Sequence, residues 1–204
     1  MSTRREAERE ARTNLIAETA MQLFTTSSYE EVTMDDIARE ADFGKATLYH
    51  YFDSKESLLT FIINRAMIKL LLQIKEQCLT NQDLVEALGI YIELRYQYYN
   101  DCFPLLLYML RRQLEGQNFE QPEFSELKDL REQKDQMMKQ LLDQGVAKGV
   151  FIPVASSILL KVVDSLIRGF VWDSMEKKGS PADQITDKEL IRRVLASGIL
   201  VHQL

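Results

Sequence analysis

The 204-residue sequence predicts an all-α fold. Three observations carry that expectation. Apolar residues recur at the 3.6-residue spacing of helices, and no run alternates with period two. Only 8 glycines and 4 prolines punctuate the chain, which leaves little room for long loops. Capping residues recur in series and divide the chain into about nine helices.

The first helix is expected over about residues 8 to 26, where Ile16, Ala20, Leu23 and Phe24 form one apolar stripe. At its start Arg4, Arg5, Arg9 and Arg12 alternate with Glu6, Glu8 and Glu10, either as a basic arm or as a solvated helix face. A break at Thr25 to Ser28 precedes Thr33, whose hydroxyl can cap a short helix while Asp35 and Asp36 meet its positive end. Met34, Ile37, Ala38 and Ala41 give that helix one narrow apolar face. Asp42-Phe43-Gly44 then forms a tight connection into a third helix, Lys45 to Tyr51. Ser54 caps a fourth, reaching about Gln77. Its apolar residues, from Leu58 to Ile74, are too many for one stripe, so it must be covered on more than one side.

The second half repeats this pattern with longer elements. Thr80 to Asp83 caps a helix running to about Asn100, Pro104 opens another that ends near Gly116, and Gln117 to Pro122 is a loop. Glu123 to Lys148 is a long helix closed by Gly149. Pro153 suits the first turn of the next helix, which extends to about Lys177. Thr186-Asp187-Lys188-Glu189 is a capping box that opens a terminal helix to about Gln203.

Composition excludes several classes. With 25 Lys and Arg against 31 Asp and Glu the net charge is −6, which argues against indiscriminate coating of polyanions. Cys78 and Cys102 stand 24 residues apart with no CxxC and no neighbouring His, so neither a disulfide framework nor a metal site is expected. Reduced thiols and the absence of an apolar leader between Met1 and Arg12 point to the cytoplasm. The two histidines, His50 and His202, join no nucleophile–base grouping, so neither an enzyme nor a cofactor is expected.

The three short front helices have the dimensions of a helix-turn-helix unit, a pattern that plain three-helix packing would also give. The residues go further. Thr33-Met34-Asp35-Asp36-Ile37-Ala38, then Lys45-Ala46-Thr47-Leu48-Tyr49-His50-Tyr51-Phe52 and Ser54-Lys55-Glu56-Ser57-Leu58-Leu59 resemble the N-terminal signature of the TetR family of bacterial transcriptional repressors. The resemblance covers roughly the first 65 residues. It implies a helix-turn-helix DNA-binding domain over 1–53, with the motif at about 33–52, and a helical effector-binding and dimerisation domain over 54–204. It further implies a nucleoid-associated homodimer on a palindromic double-stranded operator, released by a small effector. Two residues depart from the pattern. Gly44 stands where a capping Ser is frequent, and Asp42 where a Gly often ends the preceding helix.

Within the motif, Lys45 and Thr47 occupy the first turn that a recognition helix presents to base edges, although the Thr47 hydroxyl could instead bond back to its own helix. Ala46 is small enough for close approach or for contact with a thymine methyl. Tyr49, His50, Tyr51 and Lys55 form a donor-rich strip suited to phosphates, with Tyr49 and Lys55 as clamps by resemblance, and Thr33 offers a hydroxyl at a helix start. Tyr51 could equally pack inward beside Leu48 and Phe52. Six acids between residues 30 and 42 accompany the lone Arg39, so they must mostly face away from DNA.

In the C-terminal half, the helices at about 153–177 and 187–203 carry long apolar stripes, with Gly169 and Gly198 allowing close approach. They are expected to pair with their copies as a four-helix dimer interface. Large adaptable side chains lie between the two ends. Tyr96, Tyr99, Phe103, Met138 and Trp172 are the candidate pocket for a lipophilic or aromatic effector, unless they are ordinary core. Arg95 and Arg168 could meet an anionic ligand or simply form salt bridges. The alternative reading is an architectural or co-regulator protein that binds DNA without a small ligand.

Overall fold

A computed structural model describes residues 4–116, 124–176 and 181–200, with side chains throughout except at 174–176 and 181–186. Among the described residues there are eight α-helices and no strand: α1 Arg4–Thr26, α2 Met34–Glu40, α3 Lys45–Tyr51, α4 Lys55–Gln73, α5 Leu84–Leu114, α6 Ser125–Ala147, α7 Ser156–Glu176 and α8 Pro181–Ile199. A single π-turn, Ile74–Cys78, ends α4.

Eight rather than about nine helices form because α5 runs unbroken through Pro104. A proline inside a helix removes one backbone hydrogen bond and normally breaks the helix. Here Cys102 and Leu105, on either side of the proline, are each buried to 1% exposure or less. The start of α5 is capped by Asp83, whose Oδ1 accepts from the backbone N–H of Val85 (2.9 Å) and Glu86 (3.1 Å).

Other boundaries also move. α1 begins at Arg4, so the basic start is helical, with Arg4 paired to Glu8 at 3.1 Å. α7 begins at Ser156 rather than Pro153, because 151–152 is extended: Phe151 bridges Leu200, and Ile152 N–H donates to Ile199 O at 2.8 Å. The residue before a proline is in any case pushed out of the helical region. α8 opens at Pro181, so 186–189 lies inside the helix and is not its cap. The loop expected at 117–122 and the ends of the last two expected helices, Lys177 and 201–203, lie outside the described residues.

By packing, the chain forms two units, Met1–Arg65 with Pro104–Leu127 and Ala66–Phe103 with Lys128–Leu204. The first is built on Ile16, Ala20, Phe24, Ile37, Leu48, Leu58, Leu59, Ile63 and Leu105, all buried. The second is built on Ile74, Ala87, Tyr91, Ile92, Leu141, Leu142, Val163, Ile167 and Ile191. Within it the Phe151 ring fills the space beside Gly145, where an added Cβ would stand 2.0 Å from the ring. Lys55–Cys78 is apolar and long enough to cross a membrane by composition, yet more than half of its most apolar 18-residue stretch is buried in the protein. Cys78 and Cys102 are free and buried, and burial pushes their thiols up to about 11 and about 12.

Candidate nucleic-acid interface

The unit of α2, turn and α3 is fixed by local chemistry at both ends. Thr33, in an extended conformation, caps α2: its Oγ1 accepts from Asp36 N–H (3.1 Å), and the Asp36 carboxylate accepts from Thr33 N–H (3.0 Å). This is the reciprocal capping box. Hydrogen bonds from the Thr33 hydroxyl and backbone, then from Arg39, hold the Asp36 carboxyl below its ordinary value. At the other end Asp42 adopts φ 57°, Phe43 N–H donates to Ala38 O (2.8 Å), and Asp42 N–H donates to Arg39 O (3.3 Å). That pairing is the Schellman stop, which glycine usually fills, and Asp is among the few residues tolerated there. Gly44 caps α3 without a side-chain bond.

Leu48, fully buried, anchors α3. Lys45, Ala46, Thr47, Tyr49 and His50 are all exposed, as is Thr33. The structure therefore brings the sequence-predicted base-edge residues onto one open surface. Lys45 pairs with Asp35 at 2.8 Å, and that hydrogen bond raises its pKa. Tyr51 is half-buried, edge-on to Phe43 and to His50 with centroids 6.3 and 5.7 Å apart. Lys55 is the exception in the expected phosphate strip. Its Nζ donates to the backbone carbonyls of Tyr29 (2.7 Å) and Val32 (2.8 Å), with Glu30 O at 3.5 Å. Burial lowers its pKa.

The expected effector residues are only partly gathered. The rings of Phe103 and Trp172 lie 5.5 Å apart, both half-buried. Tyr96 is buried and bonds Asp187 through its hydroxyl (3.2 Å), Tyr99 accepts from Arg95 (2.7 Å), and Met138 is fully buried. A cavity of about 490 Å³ in the same unit is lined by other residues, among them Leu88, Ile92, Arg192, Leu195 and Leu200. Arg95 is the salt-bridging kind. Its Nε stands 3.4 Å from the Asp164 carboxylate, which also pairs with Lys134 and accepts from the Tyr91 hydroxyl (2.6 Å). Burial pushes Asp164 up, but Arg95, Lys134 and Tyr91 together hold its carboxyl below the ordinary value. Arg168 is exposed.

Sequence reasoning missed Asp164, Lys134 and Tyr29. A signal for the first two exists. Arg95 shares one face of α5 with Tyr91, Tyr98 and Cys102 at i, i+4, i+7, i+11 spacing, and a charge on a buried stripe requires a partner.

Residues 16–60 match the family described as "Bacterial regulatory proteins, tetR family". Over 43 residues the chain is 44% identical to IcaR of Staphylococcus aureus, the negative transcriptional regulator of the biofilm operon icaADBC, covering 21% of this chain and 23% of IcaR. The chain thus spans less than a quarter of the length of the curated relatives it matches. Its fold is shared more widely. PfmR, a TetR family regulator of Thermus thermophilus, is 26% identical with a TM-score of 0.73, covering 90% of this chain and 97% of that one. AibR, solved with isovaleryl coenzyme A and operator DNA, is 21% identical with a TM-score of 0.66, covering 92% and 97%. Residues 16–60 thus match the N-terminal domain of TetR family regulators, and nearly the whole chain shares the fold of one such regulator.

Proposed function

We propose that the protein is a ligand-responsive, sequence-specific transcriptional repressor that binds a palindromic operator as a homodimer. The observation that carries this reading is the exposed face of α3, on which Lys45, Ala46, Thr47, Tyr49 and His50 project from a helix anchored by buried Leu48 behind a capped α2. An N-terminal turn of that composition suits base edges, with Tyr49 and His50 on flanking phosphates. Residues 1–53 are then the reading domain and 54–204 the effector and dimerisation domain.

One short helix reads few base pairs, so two are needed, about 34–36 Å apart on one face of the duplex or a multiple of that spacing. The solvent-open stripe of α7 and α8 supports pairing there: Ile158, Val162, Leu190 and Val194 are 43–54% exposed, although large and apolar. Gly169 and Gly198 have open space where a Cβ would be, which suits close approach of a copy. The effector we assign to Tyr96, Tyr99, Phe103, Met138 and Trp172 is lipophilic or aromatic. The isovaleryl coenzyme A of AibR makes a short acyl thioester the first candidate to test. An effector acts by its differential affinity for the DNA-competent and incompetent states.

Selection of bound sequences from random DNA tests the core of this reading. Recovery of a palindrome, with binding abolished by Lys45→Ala plus Tyr49→Ala while folding and association survive, supports it. Recovery of no motif refutes it. Thermal shift across short acyl thioesters and aromatic acids tests the effector, and intact operator binding without any stabilising ligand favours a regulator that has none.

A further inference from the structure

Lys55 occupies a motif position that suggests a phosphate clamp, but its ammonium is already engaged. A lysine ammonium has three N–H donors. Two are taken by the carbonyls of Tyr29 and Val32, with Glu30 O close by, and all three carbonyls lie in the loop between α1 and α2. The same ammonium stands 4.4 Å from the centroid of the Tyr29 ring. Tyr29, 3% exposed, lies against Tyr108 of α5 with centroids 4.0 Å apart and planes inclined by 35°, while Phe24 flanks it at 5.1 Å. Arg112 closes the far side, 5.7 Å from the Tyr108 ring. Cation, ring, ring and cation form one column inside the first packing unit, joining the start of α4, the α1–α2 loop and the segment of α5 after Pro104.

The loop held in this way leads directly into Thr33, the cap of α2. Fixing the Val32 carbonyl fixes the chain one residue before the capping box, and α2 in turn sets α3 through the Schellman turn. We propose that Lys55, Tyr29 and Tyr108 are positioning residues for DNA binding, and that Lys55 contributes no phosphate contact. The proposal rests on the DNA-binding reading above. Glu30 and Glu56, both close to the column, reinforce it, because a phosphate approaching Lys55 would meet their charge as well as the carbonyl oxygens.

The two roles separate by salt dependence. A lysine on a B-DNA phosphate contributes roughly 0.9 to the slope of log affinity against log salt, whereas a residue that only positions other groups contributes nothing to it. Affinity for the palindrome recovered by selection is measured across salt for the full-length wild type, Lys55→Met and Tyr108→Leu, together with thermal stability. Loss of the Lys55 hydrogen bonds and cation–π contact in Lys55→Met, and of the Tyr29–Tyr108 ring contact in Tyr108→Leu, is expected to weaken binding by roughly threefold to thirtyfold in each variant. The salt slope is expected to stay at the wild-type value, with a lowered Tm in both and a non-additive Tm in the double variant. A slope smaller by about 0.9 in Lys55→Met overturns the proposal, as does wild-type affinity in Tyr108→Leu. Should Lys55→Met fail to fold, Lys55→Gln keeps a donor for the carbonyls, removes the charge and is read by the same slope. Failure of the DNA-binding reading shows itself separately, as no sequence selected by the wild type despite the Tm coupling, and it removes the DNA role with it.

Discussion

Replacing Asp164 by Asn changes one charge at almost constant shape, in a place where charge is costly. The Asp164 carboxylate accepts from Tyr91 Oη at 2.6 Å, pairs with Lys134 and lies 3.4 Å from Arg95 Nε. Both cations are about 95% buried. Removing one partner of a buried ion pair costs about 3–5 kcal/mol, chiefly because the other charge is left without compensation. Lys134 retains Asp135 at 2.8 Å, so Arg95 carries most of the loss and the lower end, about 3 kcal/mol, is expected. For a chain of this size that corresponds to a fall in Tm of roughly 6–12 °C. Urea denaturation gives the free energy and calorimetry the Tm. The pH dependence has a definite sign. The folded carboxyl is held below its unfolded value, so its contribution is complete above the unfolded pKa of about 3.9 and is lost as pH falls through the folded value. The difference between wild type and Asp164→Asn is therefore constant from neutrality down to about pH 4 and shrinks only below it. A loss under about 1 kcal/mol, or a difference that vanishes between about pH 5 and 7, would refute the reasoning. Pairing Asp164→Leu with Arg95→Met is expected to recover much of the loss, since neither charge then remains.

Gly145→Ala is expected to cost about 2–4 kcal/mol in denaturant melts, because the Cβ would expel the Phe151 ring and helix propensity returns only about 1 kcal/mol. An unchanged midpoint would mean that Phe151 relocates freely. Asp42→Gly relieves the left-handed conformation at φ 57° and is expected to raise stability by up to about 1 kcal/mol, read from Tm. A fall would show that the Asp42 side chain itself holds the turn. Val162→Asp with Val194→Asp places charges on the open stripe of α7 and α8 and is expected to give a monomer by light scattering at micromolar concentration. Unaltered association would move the interface elsewhere.

Much of the reading unit was legible because its determinants are local. The box between Thr33 and Asp36 spans three residues, the stop at Asp42 joins residues five apart, and the burial of Leu48 follows from helical spacing. Boundaries failed where distant packing outweighed local signals. Pro104 reads as a helix start until Cys102 and Leu105 are buried on either side of it. Pro153 reads as a first turn until Ile152 bonds Ile199, 47 residues away.

By itself, then, the sequence determined an all-α chain, the caps and turn that build α2 and α3, and the residues offered on α3, since hydrogen bonds a few residues long and a 3.6-residue period write these directly into amino-acid order. Tertiary structure alone decided what the charged side chains do. Lys55 holds carbonyls 23 and 26 residues away, and Arg95 meets an aspartate 69 residues on. A long, flexible cation is equally at home in solvent, on a phosphate or over a ring, so its partner is set by whatever the folded chain brings within reach.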